Sequence, residues 1–123
     1  MCHQTVSLTA RTLEQAGVPT VVMGCAKDIV EYVGVPRFLF SDFPLGNPGG
    51  RPHDPASQYA TLRAALKLLA AAPGPMTTMQ NPIRWSEDYT WKEDISNVDK
   101  ISSEEIARRR AEFDRGKEVA QQK

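Results

Sequence analysis

TVVMGC, residues 20–25, is a short, continuous apolar run rich in β-branched residues. That pattern suits a strand buried on both faces of a sheet. Upstream, TVSLTARTLEQA (5–16) places Val6, Ala10 and Leu13 at i, i+4 and i+7, one apolar stripe of a helix. Thr5 suits its cap, Gly17 suits the left-handed position that ends it, and Pro19 forbids continuation. Downstream, AKDIVEYVG (26–34) predicts a short helix with Ile29, Val30 and Val33 inward and Gly34 as its stop, and RFLFSDF (37–43) predicts a second strand. Helix, strand, helix, strand with brief turns implies parallel strands joined by a right-handed crossover.

PLGNPGGRP (44–52) is turn chemistry throughout and lies between a strand and a helix. In open α/β sheets ligands gather there, at the carboxyl ends of strands. Asp54 is an N-cap and Pro55 sits at the first helical position, where its missing N–H costs nothing. The helix runs to about Ala72, with Tyr59, Leu62, Leu66 and Leu69 on one stripe, and PGP (73–75) ends it.

Residues 76–100 carry Trp85, Tyr89 and Trp91 without sustained periodicity, and predict an extended aromatic arm. Ser102 and Glu105 form a capping box ahead of a polar helix whose few large apolar residues are Ile106, Phe113 and Val119. The expected organisation is an α/β domain over 1–75, the arm over 76–100 and the helix over 101–123. The fold class is α/β, a partial parallel sheet with flanking helices, like half of a flavodoxin or Rossmann fold. Two strands are marginal alone, so a partner chain is expected to supply neighbours.

The 123 residues suffice for one core, and 41% apolar content fits a globular chain. Fifteen basic and fifteen acidic residues cancel, which argues against nucleic acid as a partner. Arg108-Arg109-Arg110 is flanked by Glu104, Glu105, Glu112 and Asp114, a mixed-charge solvated face. No run approaches a membrane span, and no basic region leads into an apolar stretch as in a signal peptide. The expectation is a cytoplasmic protein with two free thiols, Cys2 and Cys25. No CxxC or zinc-ligand spacing is present, and no metal is expected.

Several residues carry chemistry. Cys2 precedes a helix, where the dipole favours thiolate, and His3 would add positive charge or act as a base. The alternative is an ordinary frayed terminal residue. Cys25, at a strand end, reads as a small buried hydrophobe ahead of a reactive one. Gly46, Asn47, Gly49 and Gly50 would present amides to a carboxylate or phosphate, with Arg51 as a bidentate donor and Asp42 bonding the same loop. A tight turn needing glycines at positive φ is an equal reading. The loop has no Walker or dinucleotide fingerprint, and the sequence leaves the cofactor unknown. His53 reads as a surface histidine by a helix cap ahead of a general base. Trp85, Tyr89 and Trp91 read as interface anchors, or as packing on their own domain.

AGVPTVV (16–22) and FPLGNP (43–48), at their separation here, resemble the C-terminal part of selenoprotein B of the glycine/sarcosine/betaine reductase family, which also includes D-proline reductase. The resemblance covers roughly residues 2–70. In that family a selenocysteine or cysteine, followed three residues later by a cysteine, lies just before the first helix. Counting back, Cys2 falls on the second position, and the first lies ahead of Met1. Either a reading frame begins at the methionine after a selenocysteine codon, or the domain is divided between two chains.

The resemblance implies a subunit for reductive cleavage of a small, carboxylate-bearing substrate. A selenolate or thiolate attacks the carbon beside the carboxylate and displaces an amine. Cys2 would resolve the adduct, the 44–52 loop would hold the carboxylate, and a larger subunit would be the partner. A second expectation is a non-catalytic small subunit that completes a partner's sheet and closes its site with the aromatic arm. A third is a stand-alone anion-binding α/β domain.

Overall fold

Val22, Phe38 and Thr78 stand side by side on three parallel strands. In the computed structural model, which describes residues 2–96 and 102–121, these are β1 (Val22–Gly24), β2 (Arg37–Phe40) and β3 (Thr77–Gln80), in the order β1-β2-β3. The α/β class and the parallel pairing of the first two strands follow the sequence reading. The third strand does not, because it lies within the stretch expected as an extended arm. Thr77-Thr78-Met79-Gln80 carries no apolar run, and it becomes a strand by pairing with the otherwise open edge of β2.

Alternation along the strands divides the interior into two layers. Val22 and Phe38 turn to one face, where they meet Ala10 of α1 (Cys2–Gln15), Val30 of α2 (Lys27–Val33) and Val35. Leu39 turns to the other and packs on Ala65 and Leu68 of α3 (Pro55–Ala71), flanked by Met23 and Met79. Phe38, Leu39 and Val30 are fully buried, each worth about 1.5–3 kcal/mol against exposure. The connections through α2 and α3 step the same way across the sheet but cross opposite faces, so they have opposite hands. The right-handed preference therefore holds for one of them, not both.

Helix boundaries track the sequence well, and helix faces do not. Gly17 and Gly34 take the left-handed conformation that ends α1 and α2. Asp54 caps α3 by accepting from the Ser57 amide at 3.1 Å, with Pro55 in the first turn. On α3, however, the buried face is Ser57, Thr61, Ala65 and Leu68, while Tyr59, Leu62 and Leu66 are 66%, 50% and 54% exposed. The same rotation marks α1, where Ser7 and Ala10 are buried and the expected Val6 and Leu13 face outward. On α2 only Val30 is fully buried, and Ile29 is exposed. Small residues let the helix backbones lie close against a narrow sheet, which turns the large apolar side chains away. The first helix begins at Cys2 rather than near Thr5.

The chain divides into two compact units, Met1–Glu87 and Asp88–Lys123. The second contains α4 (Thr90–Ser96) and α5 (Ser103–Gln121). The Thr90 amide and hydroxyl both donate to Asp88 Oδ1. Ser102 Oγ accepts from the Glu105 amide at 3.2 Å, the expected cap of the last helix. Residues 97–100 of the expected arm, and the side chains of Phe113 and Val119, lie outside what is described.

Candidate functional site

At the carboxyl ends of the strands a buried polar group ties three segments together. Asn81, just past β3, donates from Nδ2 to Ser41 Oγ and to Thr61 Oγ1, both at 3.0 Å. Its backbone amide donates to Phe40 O at 2.7 Å, and its Oδ1 accepts from Ile83 N. Ser41 Oγ donates to Pro48 O at 3.3 Å, which fastens the 44–52 loop to the sheet. All three side chains are buried, and a buried amide needs such partners. None was singled out by the sequence reading. The signal was three polar residues scattered through a predicted strand, the middle of a predicted helix and the expected arm, a pattern too common to select them.

The predicted thiol site assembles at the same end of the sheet. Cys2 is exposed in the first turn of α1, with Sγ 3.6 Å from His3 Nδ1. The other ring nitrogen, Nε2, accepts from the backbone amides of Cys25 at 3.1 Å and Ala26 at 3.3 Å. Gly24 makes this approach possible: a Cβ there would lie 3.0 Å from His3 Cδ2 and 3.2 Å from the Phe38 ring. Sequence reading gave Gly24 no role, since a glycine inside a strand pattern has many causes.

Cys25 is a half-buried free thiol. Burial pushes its pKa up, the amides of Asn47 and Phe43 pull it down by hydrogen bonding to sulfur, and the charge of Asp42 raises it again. The Cys25 amide thus ties the end of β1 to the His3 ring, while its thiol stands near Asp42, Phe43 and Asn47.

Inside that loop much of the hydrogen bonding is local. The Asn47 amide and side chain both donate to Pro44 O, and the Gly50 amide donates to Asn47 O. The Arg51 amide donates to Ser57 Oγ at 2.9 Å. Gly46 and Gly50 have positive φ, and Gly49 does not. Gly50 has a second constraint, because a Cβ would meet Gln58 Cα at 2.7 Å. The Arg51 guanidinium grips the cap residue Asp54, with Nη2 and Nε 2.7 and 2.9 Å from the same oxygen. The Ser57 amide, together with this pairing, holds the Asp54 carboxyl below its usual range. An open recess of about 550 Å³ borders the loop, lined by Met23, Asn47, Gly50, Gln58 and Leu62 among others.

The aromatic residues separate. Trp85 packs on Phe43 with ring centroids 5.5 Å apart. Tyr89 and Trp91 belong to the other unit, where Lys92 Nζ lies 4.8 Å and 5.4 Å from their rings. His53 is exposed with a φ of 56°. Among the described residues no three acidic, histidine or cysteine side chains gather as a metal set. No helix there is long and apolar enough to cross a membrane.

The chain is similar to D-proline reductase subunit gamma of Acetoanaerobium sticklandii, 31% identical over 72 residues. The match takes in 58% of this chain and 30% of that protein, so the chain spans under a third of the length of the curated relative it matches. No protein-family model and no solved structure matches.

Proposed function

We propose that this chain is a small subunit of a reductase that cleaves a small, carboxylate-bearing substrate by thiol or selenol chemistry. The similarity to a D-proline reductase subunit supports a reductase component. The observation that carries the chemistry is a continuous path from thiol to loop. Cys2 meets His3, His3 Nε2 accepts from the Cys25 amide, and the Cys25 thiol stands beside the segment that carries Asp42, Phe43 and Asn47. In this reading the exposed Cys2 thiol and the recess beside the loop both lie toward the carboxyl ends of the strands, where α/β enzymes bind ligands.

In this reading a companion chain supplies the selenolate or thiolate that attacks the substrate carbon and displaces the amine. The Cys2 sulfur then attacks the adduct chalcogen. A chalcogen–sulfur bond forms, the substrate carbon leaves with the electron pair and takes a proton, and an external dithiol resets the pair. The Arg51 guanidinium is already engaged by Asp54, and the Asn47, Gly50 and Arg51 amides by Pro44, Asn47 and Ser57, so a substrate carboxylate would be met by the Gly46 and Gly49 amides, which border the recess.

The companion has surfaces to meet. Among the described residues the sheet has three strands, so β1 and β3 are both edges. Tyr59, Leu62 and Leu66 present an apolar stripe on α3. The same surfaces suit a second reading, a non-catalytic subunit that completes a partner's sheet. Cys2→Ser separates the two. Purified with its companion and assayed with D-proline, the substrate named for the relative, and a dithiol reductant, the variant should assemble normally and lose turnover. Full turnover by Cys2→Ser would leave the structural subunit.

A further inference from the structure

We infer that His3 is a positioning residue that donates a hydrogen bond from Nδ1 to the Cys2 sulfur and does not accept the thiol proton. This rests on the reading of Cys2 as the working thiol and adds the proton's location.

The assignment follows from counting hydrogens. A neutral imidazole carries one N–H and one lone pair. The amides of Cys25 and Ala26 both aim their hydrogens at Nε2. An Nε2–H would face two donors and leave both amides without that acceptor. The ring flipped by half a turn would point a C–H at them instead. The lone pair therefore belongs on Nε2 and the proton on Nδ1, which is the nitrogen beside Cys2 Sγ. A base must offer Cys2 a lone pair at Nδ1, and that would strip the ring of both protons. The expectation that His3 adds positive charge or acts as a base gives way to a donor role, which stabilises negative charge on sulfur as it forms.

The anchoring is built into the fold. The His3 carbonyl accepts from Ser7 Oγ at 2.6 Å, and Ser7 is fully buried. Gly24 leaves just the space the ring occupies. The Cys25 and Ala26 amides lie at the end of β1, so the register of α1 on the sheet sets the direction in which Nδ1 points. His3 thus links the position of Cys2 to the strand end without being the group that reacts.

The test is the tautomer itself, read on the unsubstituted protein by long-range proton–nitrogen NMR of the labelled imidazole, where the ring is neutral. The expected spectrum has Nδ1 protonated and Nε2 bare, in excess by about fivefold, the worth of one ordinary hydrogen bond. Blocking Cys2 with iodoacetamide should move the Nδ1 resonance and leave Nε2 in place. Alkylation of Cys2 at fixed pH should slow about fivefold in His3→Gln, which keeps an acceptor for the amides. It should recover in His3→Asn, which keeps a donor near sulfur. A predominant Nε2–H tautomer overturns the assignment, and so does equal slowing in both variants. Either result leaves the fate of Cys2→Ser untouched, so the two readings fail separately.

Discussion

Asn81 Nδ2 donates to Ser41 Oγ at 3.0 Å across forty residues of chain. That bond joins the end of β3 to the end of β2 and, through Ser41 and Pro48, to the loop that borders the candidate site. Asn81→Ala should leave Ser41 and Thr61 hydroxyls buried with fewer partners. The expected cost is about 2 kcal/mol by chemical denaturation, the usual penalty for an unsatisfied buried group. Faster amide exchange across 44–52 should accompany it. An unchanged midpoint would contradict the role of Asn81 as a hub.

Glu14 governs a second tie. Its Oε1 accepts from Arg37 Nη1 at 2.8 Å, from Thr20 Oγ1 at 2.9 Å and from the Thr20 amide. Chiefly through the Thr20 amide, these partners hold its carboxyl below the usual glutamate range. A carboxylate whose folded pKa is depressed stabilises above the unfolded pKa and loses that contribution as pH falls through the folded value. Stability should therefore fall on acidification below about pH 4.5, and Glu14→Gln should flatten that part of the profile. At neutral pH the variant should lose about 2 kcal/mol, as expected for charged hydrogen bonds to a partly buried group. A profile that keeps its acid slope would place the titration elsewhere.

Gly50→Ala combines a φ of 127° with a Cβ 2.7 Å from Gln58 Cα. Neither strain can relax without moving the loop from α3. Destabilisation of about 2 kcal/mol or more is expected, with a lowered thermal midpoint and a rearranged recess. Gly49→Ala, with no positive φ and no atom within 4 Å of an added Cβ, should be nearly silent.

Gly24→Ala should act on the thiol site as well as on the core, because the added methyl would also lie 3.2 Å from the buried Phe38 ring. The added methyl would press on His3 Cδ2 at 3.0 Å and break the bonds from Nε2 to the Cys25 and Ala26 amides. The expected stability cost is about 1 kcal/mol. The imidazole nitrogen shifts should collapse toward those of a solvent-exposed histidine. A His3 spectrum identical to that of the parent would show that the ring does not depend on Gly24.

Leu66→Lys tests the outward face of α3. Leu66 is 54% exposed, so the isolated chain should keep its stability within about 0.5 kcal/mol. Recovery of a companion subunit during purification should fall sharply. Equal recovery would remove α3 from the interface.

The site was legible in part. Cys2 and His3 stood out because a thiol and an imidazole at a helix start carry recognisable chemistry, and the loop stood out through its glycines and prolines. Arg51 was legible as a charge but not as a partner of Asp54, because that bond needs the first turn of α3 to place both groups. Gly24, Ser41, Thr61 and Asn81 were hidden, since each acquires its role from a residue distant in sequence.

What the sequence determined by itself was local. Gly17 and Gly34 end their helices, Asp54 and Pro55 start α3, and Ser102 caps α5, because caps and turns are settled by neighbours within a few residues. It also determined that 20–25 and 37–43 each hold a strand, since the apolar runs Val21-Val22-Met23 and Phe38-Leu39-Phe40 need a sheet buried on both faces. The tertiary structure alone decided which face of each helix is buried. A stripe of leucines and a stripe of small residues lie side by side on α3. The close approach of helix backbone to a three-stranded sheet selected the small ones. It also decided that Thr77–Gln80 is a strand, because a half-polar segment gains its backbone hydrogen bonds only where β2 leaves an edge to fill.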